Sequence, residues 1–67
     1  MDAKEIKEYR EAYYKELCEQ SKGGTWNLPR ETLEQQFKHL AFEKPDSYIE
    51  ELAAYYTPAE AAHEELQ

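Results

Sequence analysis

An all-α fold is what this sequence predicts: a small bundle of three longer helices, at about residues 2–20, 29–43 and 47–56, with a short C-terminal helix at 58–66. Three observations predict it. Apolar residues recur three and four apart in each stretch. Capping residues or prolines stand where the stretches begin, and glycine or proline where they stop. β-branched residues are few and no run alternates apolar with polar, so a sheet has no support.

Asp2 is placed to cap the first helix, with Glu5 three residues on. Ile6, Tyr9, Tyr13 and Leu17 form one helical stripe. Lys4–Glu8, Lys7–Glu11 and Glu11–Lys15 lie four apart on the wet side, where a pair adds about 0.2–0.5 kcal/mol. Gly23-Gly24 is expected to end this helix through the left-handed conformation that glycine tolerates. Thr25-Trp26-Asn27-Leu28 makes a short connector, and Pro29 suits the start of the second helix, where its missing N–H costs nothing. Leu33, Phe37, Leu40 and Ala41 are the buried face of that helix, with Trp26 and Leu28 packing back on its first turns. Lys44-Pro45 stops it. Ser47-Tyr48-Ile49-Glu50 predicts a capping box, with Asp46 as a competing cap, ahead of a stripe of Ile49, Leu52, Ala53 and Tyr56. Thr57-Pro58-Ala59-Glu60 joins a Thr cap, a Pro at the first position and a Glu at the third, the clearest helix start in the chain.

The chain of 67 residues is expected to be one domain, 1–67, with a thin core. Six Leu, two Ile, two Phe and no Val leave much of the apolar fraction to Ala and Tyr, which bury less hydrocarbon. Cys18 is the only cysteine, so no intrachain disulfide forms and a reducing compartment is expected. No run approaches the roughly 20 apolar residues of a membrane span, and the Lys/Glu-rich start resembles no leader. The expectation is a cytoplasmic protein without a membrane partner.

The net charge of −7 is unevenly placed. Residues 1–44 carry nine acids and eight bases, whereas residues 45–67 carry six acids (Asp46, Glu50, Glu51, Glu60, Glu64, Glu65) and no Lys or Arg. A field of one sign repels phosphate backbones and attracts basic surfaces. Residues 49–66 have a loose helix-turn-helix rhythm, but the would-be recognition helix presents Glu60, Glu64 and Glu65 and no base. Phosphate contacts need Lys or Arg, so direct nucleic-acid binding is not expected.

Candidate chemistry is sparse. Glu60-Ala61-Ala62-His63 has the Glu-x-x-His spacing of carboxylate-bridged metal bundles, but such sites need a second motif, and Gln36 stands where His39 would need its Glu. His39 with Glu43 reads as a surface pair. Cys18 has Lys15 and Lys22 nearby but no oriented acid–base partner. Glu50-Glu51 and Glu64-Glu65 are adjacent and diverge on a helix, which is unsuited to acid–base catalysis. Gly23-Gly24 lacks a phosphate-loop pattern. No enzyme activity, metal or cofactor is expected.

Leu33, Glu34, Phe37, His39, Leu40 and Phe42, then Glu51, Leu52, Tyr56, Ala59, Glu60, Glu65 and Leu66, fall at spacings that resemble the Hha/YmoA family of small nucleoid-protein modulators. The resemblance covers about half the chain. It departs at the family's Asp-His-Arg core, where this chain has Glu60-Ala61-Ala62, in the length of the N-terminal region, and in a C-terminal segment missing here. It implies a four-helix protein that binds the nucleoid protein H-NS.

Six tyrosines in 67 residues include the adjacent pairs Tyr13-Tyr14 and Tyr55-Tyr56. Neighbours diverge by about 100° on a helix, so one ring of each pair (Tyr13, Tyr56) faces the core and the other (Tyr14, Tyr55) the flank. Exposed Tyr offers large contact area at low entropic cost. Glu64 and Glu65 sit in a last helical turn where the dipole disfavours them, as acids that serve a partner would. The sequence therefore points to a non-enzymatic regulator or inhibitor that binds a protein with a basic surface. Tyr14, Glu50, Glu51, Tyr55, Glu60 and Glu64 are the candidate contact residues. A DNA mimic whose carboxylates imitate phosphates, and a homodimer that uses the tyrosine face as its own interface, are the alternatives beside the Hha/YmoA-like modulator.

Overall fold

In a computed structural model, residues 1–24 and 27–67 are described. They form α1 (Ala3–Ser21), α2 (Arg30–Lys38) running into a π-helical segment (His39–Glu43), α3 (Asp46–Tyr55) and α4 (Pro58–Glu65), with no strand among them. The expected packing of Trp26 lies outside the described residues.

The first helix begins as its sequence requires. Asp2 is extended, its Oδ1 accepts the Glu5 N–H at 2.8 Å, and its carbonyl accepts from Ile6. Ile6, Tyr9, Tyr13 and Leu17 are all buried. Of the three expected surface pairs, Lys7 and Glu11 approach to 4.0 Å. The end of α1 differs from expectation. Neither Gly23 nor Gly24 has positive φ, and the capping residue is right-handed Lys22. The last turn is closed by side chains: the Cys18 carbonyl accepts from Ser21 Oγ at 3.0 Å and from Arg30 Nη2 at 2.8 Å, while Arg30 Nη1 donates to Ser21 Oγ at 2.8 Å. Arg30, the first residue of α2, thus stands in for a glycine cap and ties two helix ends together.

Leu33, Phe37 and Ala41 are buried as expected, and Leu40 is half-buried. Residues spaced i, i+4, i+8 drift about 40° per step around an α-helix. Widening the helix at His39–Glu43 offsets that drift and keeps Ala41 on the face that Leu33 and Phe37 began. Leu28 does not pack back. It is 44% exposed. Lys44 is extended ahead of Pro45, where proline disfavours helical geometry in the residue before it.

The expected Ser47/Glu50 capping box is absent. α3 starts one residue earlier, because the Pro45 carbonyl accepts from both Tyr48 (3.0 Å) and Ile49 (3.3 Å). Both acids of the expected caps are engaged elsewhere: Asp46 with Arg10 of α1 at 2.8 Å and Glu50 with the Met1 ammonium at 3.4 Å. Ile49 is fully buried, but Tyr56 is not the core residue expected. It leaves the helix in extended conformation and is 38% exposed, so the Tyr9 hydroxyl bonds its backbone carbonyl (3.0 Å). The Thr57 capping box forms in full, with Glu60 N–H to Thr57 Oγ1 at 3.2 Å and Thr57 N–H to Glu60 Oε1 at 3.0 Å.

α2, the π-helical segment, α3 and α4 all pack on α1, and apart from the α2–π junction these are the substantial helix–helix contacts among the described residues. Arg10 is the principal clip. Its guanidinium donates to the Ala41 carbonyl at 3.0 Å and to Asp46 at 2.8 Å, fixing the π-helical segment and the start of α3 together. Extents of 36 × 19 × 14 Å leave every helix with a solvent face.

Arg10→Met strands the Ala41 carbonyl and removes a charge-assisted bond, so it should cost about 2–3 kcal/mol in urea unfolding. Asp46→Asn keeps an oxygen acceptor on a side chain that is 69% exposed and should cost less than about 1 kcal/mol. Equal losses would show that Arg10 acts through the ion pair alone.

Burial, then the nearby charges of Glu65, Tyr48 and Tyr9, pushes the Tyr13 phenol well above its usual value. Burial and Glu60 raise Tyr9 likewise. These acids stay protonated in the fold while the unfolded chain ionises near about pH 10. Their contribution is complete below that value and is lost as pH rises through and beyond it. The unfolding midpoint should fall above about pH 10, and Tyr13→Phe should flatten the fall.

Candidate functional site

The sequence-predicted contact residues separate into two groups in space. Glu51 and Tyr55 line one shallow depression of about 210 Å³ with Tyr48, Leu52 and Tyr56. Glu60 and Glu64 line a second, of about 340 Å³, with Gln20, Tyr56, Ala59 and His63. Tyr56 belongs to both, so the two meet at the corner where α3 hands over to α4. Tyr55 is 77% exposed there, the most exposed of the large apolar residues among those described.

Glu50 and Tyr14 do not join this corner. Glu50 holds the N-terminal ammonium. Tyr14 is half-buried against the core, its ring 5.5 Å from that of exposed Phe42. Burial and a side-chain hydrogen bond with Cys18, one turn on in α1, raise its phenol pKa, and the Phe42 contact places its ring beside the π-helical segment.

Residues missed in the sequence complete the site. Tyr48, Leu52 and Tyr55 repeat at i, i+4, i+7 and form a second apolar stripe on α3, beside the Ile49 stripe that meets α1. The spacing was there to be read. Leu52 belongs to this stripe as well as to the expected one through Ile49. At one end of this strip the Lys44 ammonium lies 5.4 Å from the Tyr48 ring centre, a cation–π contact.

The corner's backbone is held from below. Tyr9 takes the Tyr56 carbonyl, and Gln20 Nε2 donates to the Ala59 carbonyl at 2.9 Å. The Glu60 carboxyl is held below the usual glutamate range by the backbone N–H of Thr57, then by the Thr57 side chain. Glu60 therefore serves the cap and still presents negative charge.

Other candidates resolve simply. His39 Nδ1 lies 3.3 Å from Glu43, and both are exposed. His63 Nε2 lies 2.7 Å from Gln67 Nε2, not from Glu60. Among the described residues no three His, Cys, Asp or Glu side chains gather closely enough to hold a metal ion, and no helix is long and apolar enough to cross a membrane. Compared with protein-family models, curated proteins and solved structures, the chain matches none.

Thr57→Ala removes the cap of α4, a loss of about 1 kcal/mol, and returns the Glu60 titration toward the usual range. Because the folded carboxyl is the stronger acid, its stabilising contribution is present at neutral pH and lost as pH falls through its folded pKa. A carboxyl-detected NMR titration checks both: the Glu60 midpoint should rise in Thr57→Ala, and an unchanged midpoint would refute the link.

Proposed function

We propose that the chain is a non-enzymatic regulatory or inhibitory protein that binds a protein partner through the α3–α4 corner. The single observation that carries this reading is Tyr55, an aromatic ring left 77% exposed beside an apolar depression. Large aromatic side chains in such settings are the usual anchors of protein interfaces. Glu51 lines the same depression, Glu60 and Glu64 line the neighbouring one across Tyr56, and residues 45–67 contain no Lys or Arg to offset them. That combination favours a partner with a basic surface.

A pure phosphate mimic is less well supported. Asp46 and Glu50, two of the six acids in the last third, are engaged by Arg10 and the N-terminal ammonium. Fewer carboxylates remain to imitate a backbone, whereas the tyrosines add contact area that a nucleic-acid mimic does not need.

Affinity capture from host lysate, at about 50 and about 200 mM salt, tests the proposal. Tyr55→Ala should weaken the principal complex at least about tenfold at both salt concentrations, the cost of a moderate hot spot. Tyr14→Ala should weaken it little. A complex that ignores Tyr55→Ala but dissolves with salt would point to ionic mimicry instead.

A further inference from the structure

The corner is two unlike depressions sharing one wall. The α3 side is walled by the rings of Tyr48, Tyr55 and Tyr56 and by Leu52, with Glu51 as its acid. The α4 side is lined by Glu60 and Glu64 with Ala59 and His63, and neither helix carries a Lys or Arg. An occupant matching both presents an apolar side chain to the first and a cation to the second. The corner is also preformed: the Tyr56 and Ala59 carbonyls are held by Tyr9 and Gln20, and Thr57 by its capping box. A surface already in its binding geometry loses little entropy on association.

We infer that the corner receives a basic amphipathic segment of the partner, in which an apolar side chain such as Leu is flanked by Arg or Lys. The apolar residue lies over Leu52 between Tyr48 and Tyr55, and the basic residue crosses Tyr56 to reach Glu60 and Glu64. This rests on the protein-binding reading above and specifies its ligand. A second copy of the chain is a poor occupant, because at net charge −7 it would bring one acidic corner toward another.

The test is an NMR titration of the full ¹⁵N-labelled chain with a synthetic helical peptide of Leu and Arg. Two control peptides replace all Leu with Ser or all Arg with Gln. Binding should shift amides at Leu52, Tyr55, Tyr56, Glu60 and Glu64, and each control should bind at least tenfold more weakly. Tyr55→Ala and Glu64→Lys should each weaken binding of the parent peptide several-fold without lowering the thermal midpoint. Equal binding by the Ser control would overturn the proposal in favour of charge alone, and equal binding by the Gln control in favour of apolar contact alone. Shifts centred on α1, or none up to about 1 mM peptide, would also overturn it. If the peptides fail while capture from lysate still depends on Tyr55, the segment is wrong and the protein-binding reading stands. If Tyr55→Ala has no effect in either experiment, both fall.

Discussion

Everything in this molecule packs on α1. Ile6, Tyr9, Tyr13 and Leu17 form the one stripe that the other elements share, since α2, α3 and α4 make little substantial contact with one another among the described residues. A chain this short cannot enclose a deep core, and it fills the available depth with tyrosine rings whose hydroxyl ends reach toward the rim. Tyr9 uses that end to hold the Tyr56 carbonyl. Two arginines supply what hydrocarbon does not. Arg10 joins α1 to the π-helical segment and α3, and Arg30 joins the two ends of the first connection.

The same arrangement explains the exposed corner. With α3 and α4 each committed to α1, neither covers the other's outer side, and the chain between them turns through the extended Tyr56. Its aromatic rings are therefore left to solvent by architecture. Charge follows a related logic. The acids are segregated along the sequence but not wholly in space, because Asp46 and Glu50 pair with Arg10 and the N-terminal ammonium. What stays free of that pairing is Glu51, Glu60, Glu64 and Glu65, the first three of which line the two depressions that share Tyr56.

Much of the fold was legible because it depends on neighbours in the chain. The Asp2 cap, the stripe on α1, the Lys44-Pro45 stop and the Thr57 capping box are all interactions within a few residues, and each stands as its spacing predicts. Long-range pairing was not legible. Arg10 meets partners 31 and 36 residues away, and nothing in the spacing of residues announces them. The Ser47 box does not form: the Pro45 carbonyl closes the first turn of α3, and Asp46 and Glu50 meet Arg10 and the Met1 ammonium, partners distant in the chain. Part of the site was legible in Tyr55, Glu51, Glu60 and Glu64. Tyr14 and Glu50 were grouped with them because a one-dimensional pattern does not tell which sides of different helices come together.

A hub-and-spoke design also shapes how this protein can change. Substitutions on the outer side of α3 and on that of α4 share few packing neighbours, so their energetic effects should add rather than interact. Selection can then rewrite Tyr55 or Glu64 one at a time without a compensating change in the interior. The surface can therefore diverge while the scaffold beneath it stays as it is.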